Sequence, residues 1–437
     1  MGEFKKWNLW KPVFMRPRDS ESLFFSNGGQ CIVPDNDTVD LDYLTGFLNS
    51  NVAGYILNIL SPTLGFESGY VKKLPILFGE GDETKKATEL AKYNIILAKE
   101  DWDALELSWD FRTHPLVRLG CRNRSLIGIY EEWVQECKNR FNAIKENKQK
   151  LNLLYMHIYH METELDPIVK DKEISVYKGN LQNDIKSLLS YAVGCMFGRY
   201  SLDVSGLSFA GGKWERENYV SFLPNEDNII PITDEEYLEN DIISRFCVWL
   251  KAVYGEHLLE ENLDFIAKAL GNKGDSSRQI IRNYFLNDFF KDHCGMYSFA
   301  SSGKRPIYWL FDSGKQNGFK ALIYLHRYTA DTIGNLRIDH LHHMQRVYES
   351  EISRMQDMIY HSTNAREVGQ ATKRRDKLTK QLKECREYDE KLAHLALSRI
   401  ELNLDDGVKV NYRKLQTAND GKFYEVLADS KIIMAKK

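Results

Sequence analysis

Two apolar runs near the C-terminus constrain the fold most. Leu341, Met344, Tyr348, Ile352, Met355 and Ile359 step by three and four, and Leu378, Leu382, Cys385, Leu392 and Leu395 resume the same spacing. Side chains at that period share one helix face, and a face this long has to be buried against a partner. The intervening "HSTNAREVG" breaks the periodicity, so each run is the other's partner. The pattern predicts a long antiparallel helical hairpin of coiled-coil type within residues 334–437, followed by a short tail, "DDGVKVNYRKL".

The rest of the 437-residue chain is large enough for further cores, since domains run to roughly 100–200 residues each. Residues 1–80 are turn-rich. "FFSNGGQCIVP" reads as strand, Asn-Gly-Gly turn, strand. "LDYLTGFLNSNVAGYILNIL" reads as one helix stopped at Pro62, and "SPTLGFESGYVKKLPI" as a loop that ends in a strand at "KKLPI". Residues 81–166 read as a helical spacer divided at Pro115, with Trp102, Leu105 and Trp109 on one face and Trp133, Phe141, Leu151, Leu154, Ile158 and Met161 on another. Residues 167–333 read as a mainly helical domain. It contains the amphipathic "IISRFCVWLKAVYG", a loop or hairpin at "FAGGKWERENYVSFLPNEDNIIPIT", and a β-hairpin at "RPIYWLFDSGKQNGFKALIYLHRY". The expected class is α+β, predominantly helical.

The net charge is only −3, so any nucleic-acid role has to rest on local clusters of Lys and Arg. The seven cysteines are scattered and never form a CxxC pair, which reads as reduced thiols of a cytoplasmic protein. Export and membrane insertion are unsupported: the N-terminus has no apolar core region, and Asn49, Ser50, Asn51 and Asn58 interrupt the longest apolar window. The sequence contains no Walker, GxGxxG, HExxH or GxSxG motif, and no catalytic residue is assigned. His340, His342 and His343 read as a solvated helix rather than a metal site, and Cys294 of "KDHC" as a core cysteine beside a helix end. Acidic pairs such as Asp234 with Glu235 read as surface features.

Three stretches combine cations with groups suited to nucleic acid. Lys5, Lys6, Arg16 and Arg18 interleave with Trp7, although a surface strand is an equal reading. Tyr70, Lys72 and Lys73 follow Gly65 and Gly69, where a close backbone approach and two phosphate contacts compete with a plain turn bearing a solvated lysine pair. Lys373, Arg374 and Arg375 crowd one helical segment, either a charged exposed helix or a track along a duplex backbone.

One long stretch, "LTGFLNSNVAGYILNILSPTLGFESGYVKKLPI", resembles the end of the target-recognition region in the PglX-type adenine-specific DNA methyltransferases of BREX phage-exclusion systems. "AKEDWDALELSWDFRTHPL", "KSLLSYAVGCMFGRYSLD", "IIPITDEEYLENDIISRF", "RPIYWLFDSGKQNGFKALIYLHRY" and "LDDGVKVNYRKL" continue the likeness in order. The resemblance implies the C-terminal part of a two-part enzyme: a partial target-recognition domain over 1–80, a spacer over 81–166, a helical α+β domain over 167–333 and the hairpin region over 334–437. Such enzymes carry an Asn-Pro-Pro-Tyr type motif and bind S-adenosylmethionine in an N-terminal domain, and neither NPPY nor DPPY occurs here. The expected partner is double-stranded DNA. A catalytic methyltransferase half, other BREX components or a phage inhibitor are further expected partners. The competing expectation is a protein-docking module for defence components or a phage-encoded DNA mimic.

Overall fold

The computed structural model describes residues 40–60, 68–118, 123–271, 274–299 and 303–434. The hairpin expected at "FFSNGGQCIVP" lies outside them, as do Lys5, Lys6, Trp7, Arg16 and Arg18. The chain divides into two compact units, residues 1–108 with 131–180, and residues 109–130 with 181–437. It is predominantly helical with a small antiparallel sheet, the α+β class expected. Among the described residues no helix is long and apolar enough to cross a membrane.

The first unit contains α1 (Leu41–Leu48), α2 (Asn51–Leu60), the single turn α3 (Ser68–Val71) and α4 (Glu83–Asp103). After the short α5 (Pro115–Arg118) of the second unit, residues 131–158 of α6 (Leu126–Ile158) complete it. The one helix expected over 41–60 is two. Ser50 makes the break: its hydroxyl donates to Phe47 O at 2.6 Å and accepts from Ala53 N–H at 3.2 Å, closing α1 and capping α2. Tyr43, Phe47, Val52 and Leu57 pack with Leu151 and Tyr155 of α6. Gly46 permits this, because a Cβ there would stand 2.8 Å from the Tyr155 hydroxyl. Trp133, Phe141, Leu151 and Ile158 are buried as the periodicity requires. Leu105 and Trp109, by contrast, fall beyond the end of α4, and Trp109 is 83% exposed.

"KKLPI" is not a strand. Its backbone is held by side chains: the Tyr43 hydroxyl donates to Leu77 O at 2.6 Å, and the Tyr159 hydroxyl donates to Pro75 O at 2.6 Å and accepts from Leu77 N–H at 3.0 Å. The N–H groups of Lys73 and Leu74 turn back to Tyr70 O and Val71 O at 3.0 and 3.1 Å, and with Pro75 and Leu77 served by tyrosines the segment takes no ladder partner among the described residues.

The second unit runs through α7 (Leu181–Phe197), β1 (Ile230–Ile232), α8 (Ile242–Tyr254), α9 (Leu259–Leu270), α10 (Ser277–Asn287) and α11 (Phe289–Met296). A minimal pair, β2 (Ser298–Phe299) with β3 (Gly303–Lys304), precedes β4 (Tyr308–Asp312) and β5 (Lys320–Tyr324). The expected hairpin is β4–β5. Residues 209–229 form the expected loop, which then enters β1. The sheet order is β1-β5-β4, all antiparallel, with Leu322 facing both Ile230 and Leu310. "YWLF" and "ALIY" are continuous apolar runs, and all eight residues are buried, so both sheet faces are covered. Pro231 is tolerated because β1 is an edge strand.

A buried ion pair joins this sheet to its helices. Asp241 caps α8 by accepting from Ile243 N–H at 3.0 Å and Ser244 N–H at 2.9 Å, and it pairs with Arg282 of α10. Arg282 also donates to Thr233 O at 3.2 Å and Thr233 Oγ1 at 2.8 Å, just past β1. The two side chains are 0% and 4% exposed.

Beyond α12 (Thr332–Asn335) and a π-helical stretch, Leu336–Leu341, the expected helical hairpin is α13 (His342–His361) against α14 (Ala365–Ser398). Asn364 caps α14 through Arg366 N–H at 3.0 Å. The wide π turn brings its histidine inward, so the solvated-helix reading fails there. His340 is 5% exposed with Nε2 2.6 Å from Asp227, and His342 Nε2 lies 2.9 Å from Asp389. The tail segment "DDGVKVNYRKL" is folded onto the sheet. It forms α15 (Val408–Leu415), whose buried Tyr412 ring meets Trp309 at 4.9 Å, and the later Val426 and Ala428 bond the free edge of β4 at 3.1 and 2.9 Å. The turn α16 (Ser430–Ile433) ends the described chain. Cys294 is buried as expected, and burial pushes its thiol up to about 12.

Two measurements test this core. Removing one partner of a buried pair strands a charge, so Arg282→Ala is expected to lower the unfolding free energy by about 3–5 kcal/mol in denaturant titration. His114 and His293 are buried in the second unit, and burial pulls each down to about 3, with the Arg199 cation adding to the effect at His293. The unfolded chain therefore binds more protons between its ordinary value of 6.5 and about 3. Stability is complete above pH 6.5 and falls below it, by up to about 1.4 kcal/mol per pH unit for each histidine. The denaturant midpoint should thus drop between neutral and mildly acidic pH, and a flat profile would overturn the assignment.

Candidate nucleic-acid interface

The described candidates lie in separate units. Tyr70 lies in the α3 turn, which ends at Val71, and Lys72 and Lys73 follow it. Tyr70 is half-buried against the first unit's core, with the Lys73 ammonium 5.9 Å from its ring centre. Its ring is thus a wall of the core more than a free base-stacking platform. Lys72 and Lys73 are exposed, and the next residue, Leu74, is buried. The two lysines therefore stand at a fixed exit from the core, ahead of the segment pinned by Tyr43 and Tyr159. Ile76, Leu77 and Phe78 continue the segment at 37%, 45% and 54% exposed, with Phe78 stacked on Tyr43 at 5.3 Å.

In the second unit the basic run of α14 splits into two faces. Arg374 is engaged inward, with Nη2 2.7 Å from Glu235 and 3.3 Å from Glu351 of α13. Lys377 lies 2.6 Å from Asp234 and 3.6 Å from Glu235. Arg375 spans Asp376 at 2.8 Å and Gln356 at 3.1 Å. Lys373 and Lys380 are exposed, and among the described residues neither has an ion-pair partner. Burial works against the Lys377 cation, but the carboxylates of Asp234 and Glu235 outweigh it and hold its pKa above the usual value.

Asp234 and Glu235 are therefore the residues that sequence reading passed over. They look like an ordinary surface pair, yet the Asp234 side chain is only 11% exposed and anchors α14. The available signal was their place two residues after an apolar strand, opposite a basic helix. α14 also holds the β4–β5 turn. Glu384 accepts from Ser313 Oγ at 2.8 Å, Gln316 N–H at 2.9 Å and Gly318 N–H at 3.0 Å. Gly318 has to be glycine, since a Cβ would come 2.7 Å from Gln381 O.

No family model matches the chain. It is homologous over most of its length to adenine-specific methyltransferases, in agreement with the resemblance drawn from its sequence. Adenine-specific methyltransferase PglX of Lacticaseibacillus casei (strain Zhang) is 40% identical over 400 residues, covering 90% of this chain and 32% of the relative. Adenine-specific methyltransferase BrxX of Escherichia coli O9:H4 (strain HS) is 34% identical over 466 residues, covering 98% of this chain and 37% of the relative. The chain thus spans about a third of the length of these curated relatives.

The pinned segment gives a local prediction. Tyr159→Phe removes the hydroxyl that serves Pro75 and Leu77, at a cost of about 1–2 kcal/mol. Amide exchange should quicken at Leu77 and stay unchanged along α13 and α14; exchange that is unaltered at Leu77 would show that the hydroxyl does not hold the segment.

Proposed function

We propose that this chain is the DNA-recognition and scaffold portion of an adenine-N6 site-specific DNA methyltransferase of BREX anti-phage defence, catalytically silent by itself. The observation that carries the reading is homology over 90% and 98% of the chain to methyltransferases about three times its length. An enzyme that modifies a base inside a duplex has to extrude it while holding the site in register, which separates backbone clamps and groove readers from the reacting centre. Lys72 and Lys73 on their fixed exit suit a phosphate clamp, and Lys373, beside the engaged Arg374 and Arg375, is the α14 cation best placed for a second.

S-adenosylmethionine belongs, in this reading, to the remainder of the enzyme. What supports this is the described main sheet, which is three-stranded and antiparallel with both faces covered and so lacks the parallel strand ends at which open α/β sheets hold nucleotide cofactors. No methyl-transfer step is derived through this chain. The exposed Ile76, Leu77 and Phe78 favour a second reading for the same loop, a protein-docking edge toward the catalytic half, another defence component or a phage inhibitor.

Salt dependence distinguishes the two. Binding to random duplex DNA, followed by fluorescence anisotropy, should weaken steeply with salt, and Lys72→Ala with Lys73→Ala should reduce the slope of log K against log salt by about two. Lys373→Ala should reduce it by about one. Absence of duplex binding even at low salt would overturn the clamp and leave docking.

A further inference from the structure

A cavity lies inside the second unit, apart from the lysines and arginines of the candidate interface. Lys186 and Ser187 of α7, Tyr284 of α10, and Phe289, Asp292 and His293 of α11 line one cavity of about 190 Å³. Its mouth is polar: Lys186 Nζ lies 3.0 Å from Asp292, and both side chains are partly exposed. His293 belongs to its interior and is 2% exposed.

The hydrogen bonds fix what His293 can offer. Its Nε2 accepts from two backbone groups, Ile307 N–H at 3.0 Å and Tyr308 N–H at 3.1 Å. A nitrogen that accepts two N–H bonds carries no proton, so the ring is neutral and its hydrogen sits on Nδ1. Nδ1 is buried and has no hydrogen-bond partner among the described residues. Ile307 and Tyr308 do not line the cavity, so the ring edge spent on them is not the edge available to it.

Ser187 is set up in a similar way. His114 Nδ1 accepts from Leu116 N–H at 3.3 Å, which puts its proton on Nε2, and Nε2 lies 2.9 Å from Ser187 Oγ. Ser187 thus accepts from His114 and keeps its own hydroxyl hydrogen to give. Asp292 is the cavity's charged acceptor, and it already receives Lys186 and the Tyr284 hydroxyl, the latter at 3.1 Å. The cavity therefore holds spare donors in His293, Ser187 and Lys186, with its carboxylate already engaged.

We infer that this cavity is a binding site for a small monocarboxylate, whose oxygens accept from His293 Nδ1–H, Ser187 Oγ–H and the Lys186 ammonium, with Phe289 against its carbon end. Charge selects the class. Lys186 and Asp292 cancel and both histidines are neutral, so the lining carries no net charge and the Arg199 cation felt at His293 favours a single negative one. A phosphate dianion would bring two charges beside Asp292, with Lys186 alone of the lining side chains to oppose them.

Acetate is the probe, with inorganic phosphate as the contrasting arm, both added to the full chain. Acetate should bind saturably with a dissociation constant on the order of millimolar, given so few atoms. It should shift the His293 Nδ1 proton resonance in histidine-labelled protein, and phosphate should shift it far less at equal concentration. Ser187→Ala and Lys186→Met should each weaken acetate binding about tenfold, the loss of one hydrogen bond to a charged group. Lys186 lies at the mouth, so its variant keeps the test valid if removal of the hydroxyl beside His114 disturbs folding. The inference is overturned if acetate leaves the His293 resonance unmoved, which would mean that ordered water alone serves Nδ1, or if Lys186→Met binds acetate as well as the parent chain does.

Discussion

The second unit depends on one buried ion pair. Asp241 and Arg282 are almost wholly withdrawn from water, and withdrawal of two charges costs several kcal/mol for each ion unless their remaining donors and acceptors are met. Here they are largely met: Asp241 accepts two backbone N–H groups of α8 as well as the guanidinium, and Arg282 reaches both oxygens of Thr233. α8 must begin where Asp241 finds Arg282, and β1 must end where Thr233 meets the same guanidinium. The next two residues, Asp234 and Glu235, are then delivered to α14. A buried pair thus fixes the placing of an acidic step that is itself near the surface.

That step, with Glu384, explains why a helix rich in lysine and arginine folds onto this unit rather than standing free. An isolated surface ion pair contributes only about 0–1 kcal/mol. Arg374 and Lys377 share Asp234, Glu235 and Glu351 as a network, and Gln381 adds a 3.0 Å bond to Asp234. Glu384, one turn on from Lys380, accepts three donors from the β4–β5 turn. The inner face of α14 is committed to its own fold. Any electrostatic work on a partner falls to the outer cations, such as Lys373 and Lys380.

Periodicity made the long elements legible. The α13–α14 pair and the β4–β5 hairpin follow from apolar spacing and turn residues, because the pattern that specifies each lies within its own two helices or strands. What escaped reading depends on partners distant in sequence. "KKLPI" has the composition of a strand, but Tyr159 and Tyr43 hold Pro75 and the adjoining Leu77 from outside any sheet. "DDGVKVNYRKL" looks like a polar tail until Tyr412 is seen to need Trp309. His340 turns inward because a π-helical turn changes the register, and no three-or-four spacing forecasts that change. The candidate site was legible in the same uneven way: Lys72, Lys73 and Lys373 are exposed as a cation run suggests, whereas Arg374 is taken by acids more than one hundred residues away in the chain for Glu235 and twenty-three for Glu351.

The segment that follows Tyr70 shows how an exposed stretch of chain can be made rigid without regular structure. A contact residue on a mobile loop spends part of its interaction energy on ordering the chain, so a fixed loop binds better with the same contacts. Leu74 buries one side of the segment, and tyrosine hydroxyls hold Pro75 and Leu77 immediately beyond it. Lys72 and Lys73 inherit that order while their ammonium groups stay in water. The same pinning holds Ile76, Leu77 and Phe78 outward, where apolar surface favours protein over phosphate. Two chemistries are thus presented within seven residues of one stiff segment, so a partner domain that covers the apolar end would also set the approach of a duplex to the lysines.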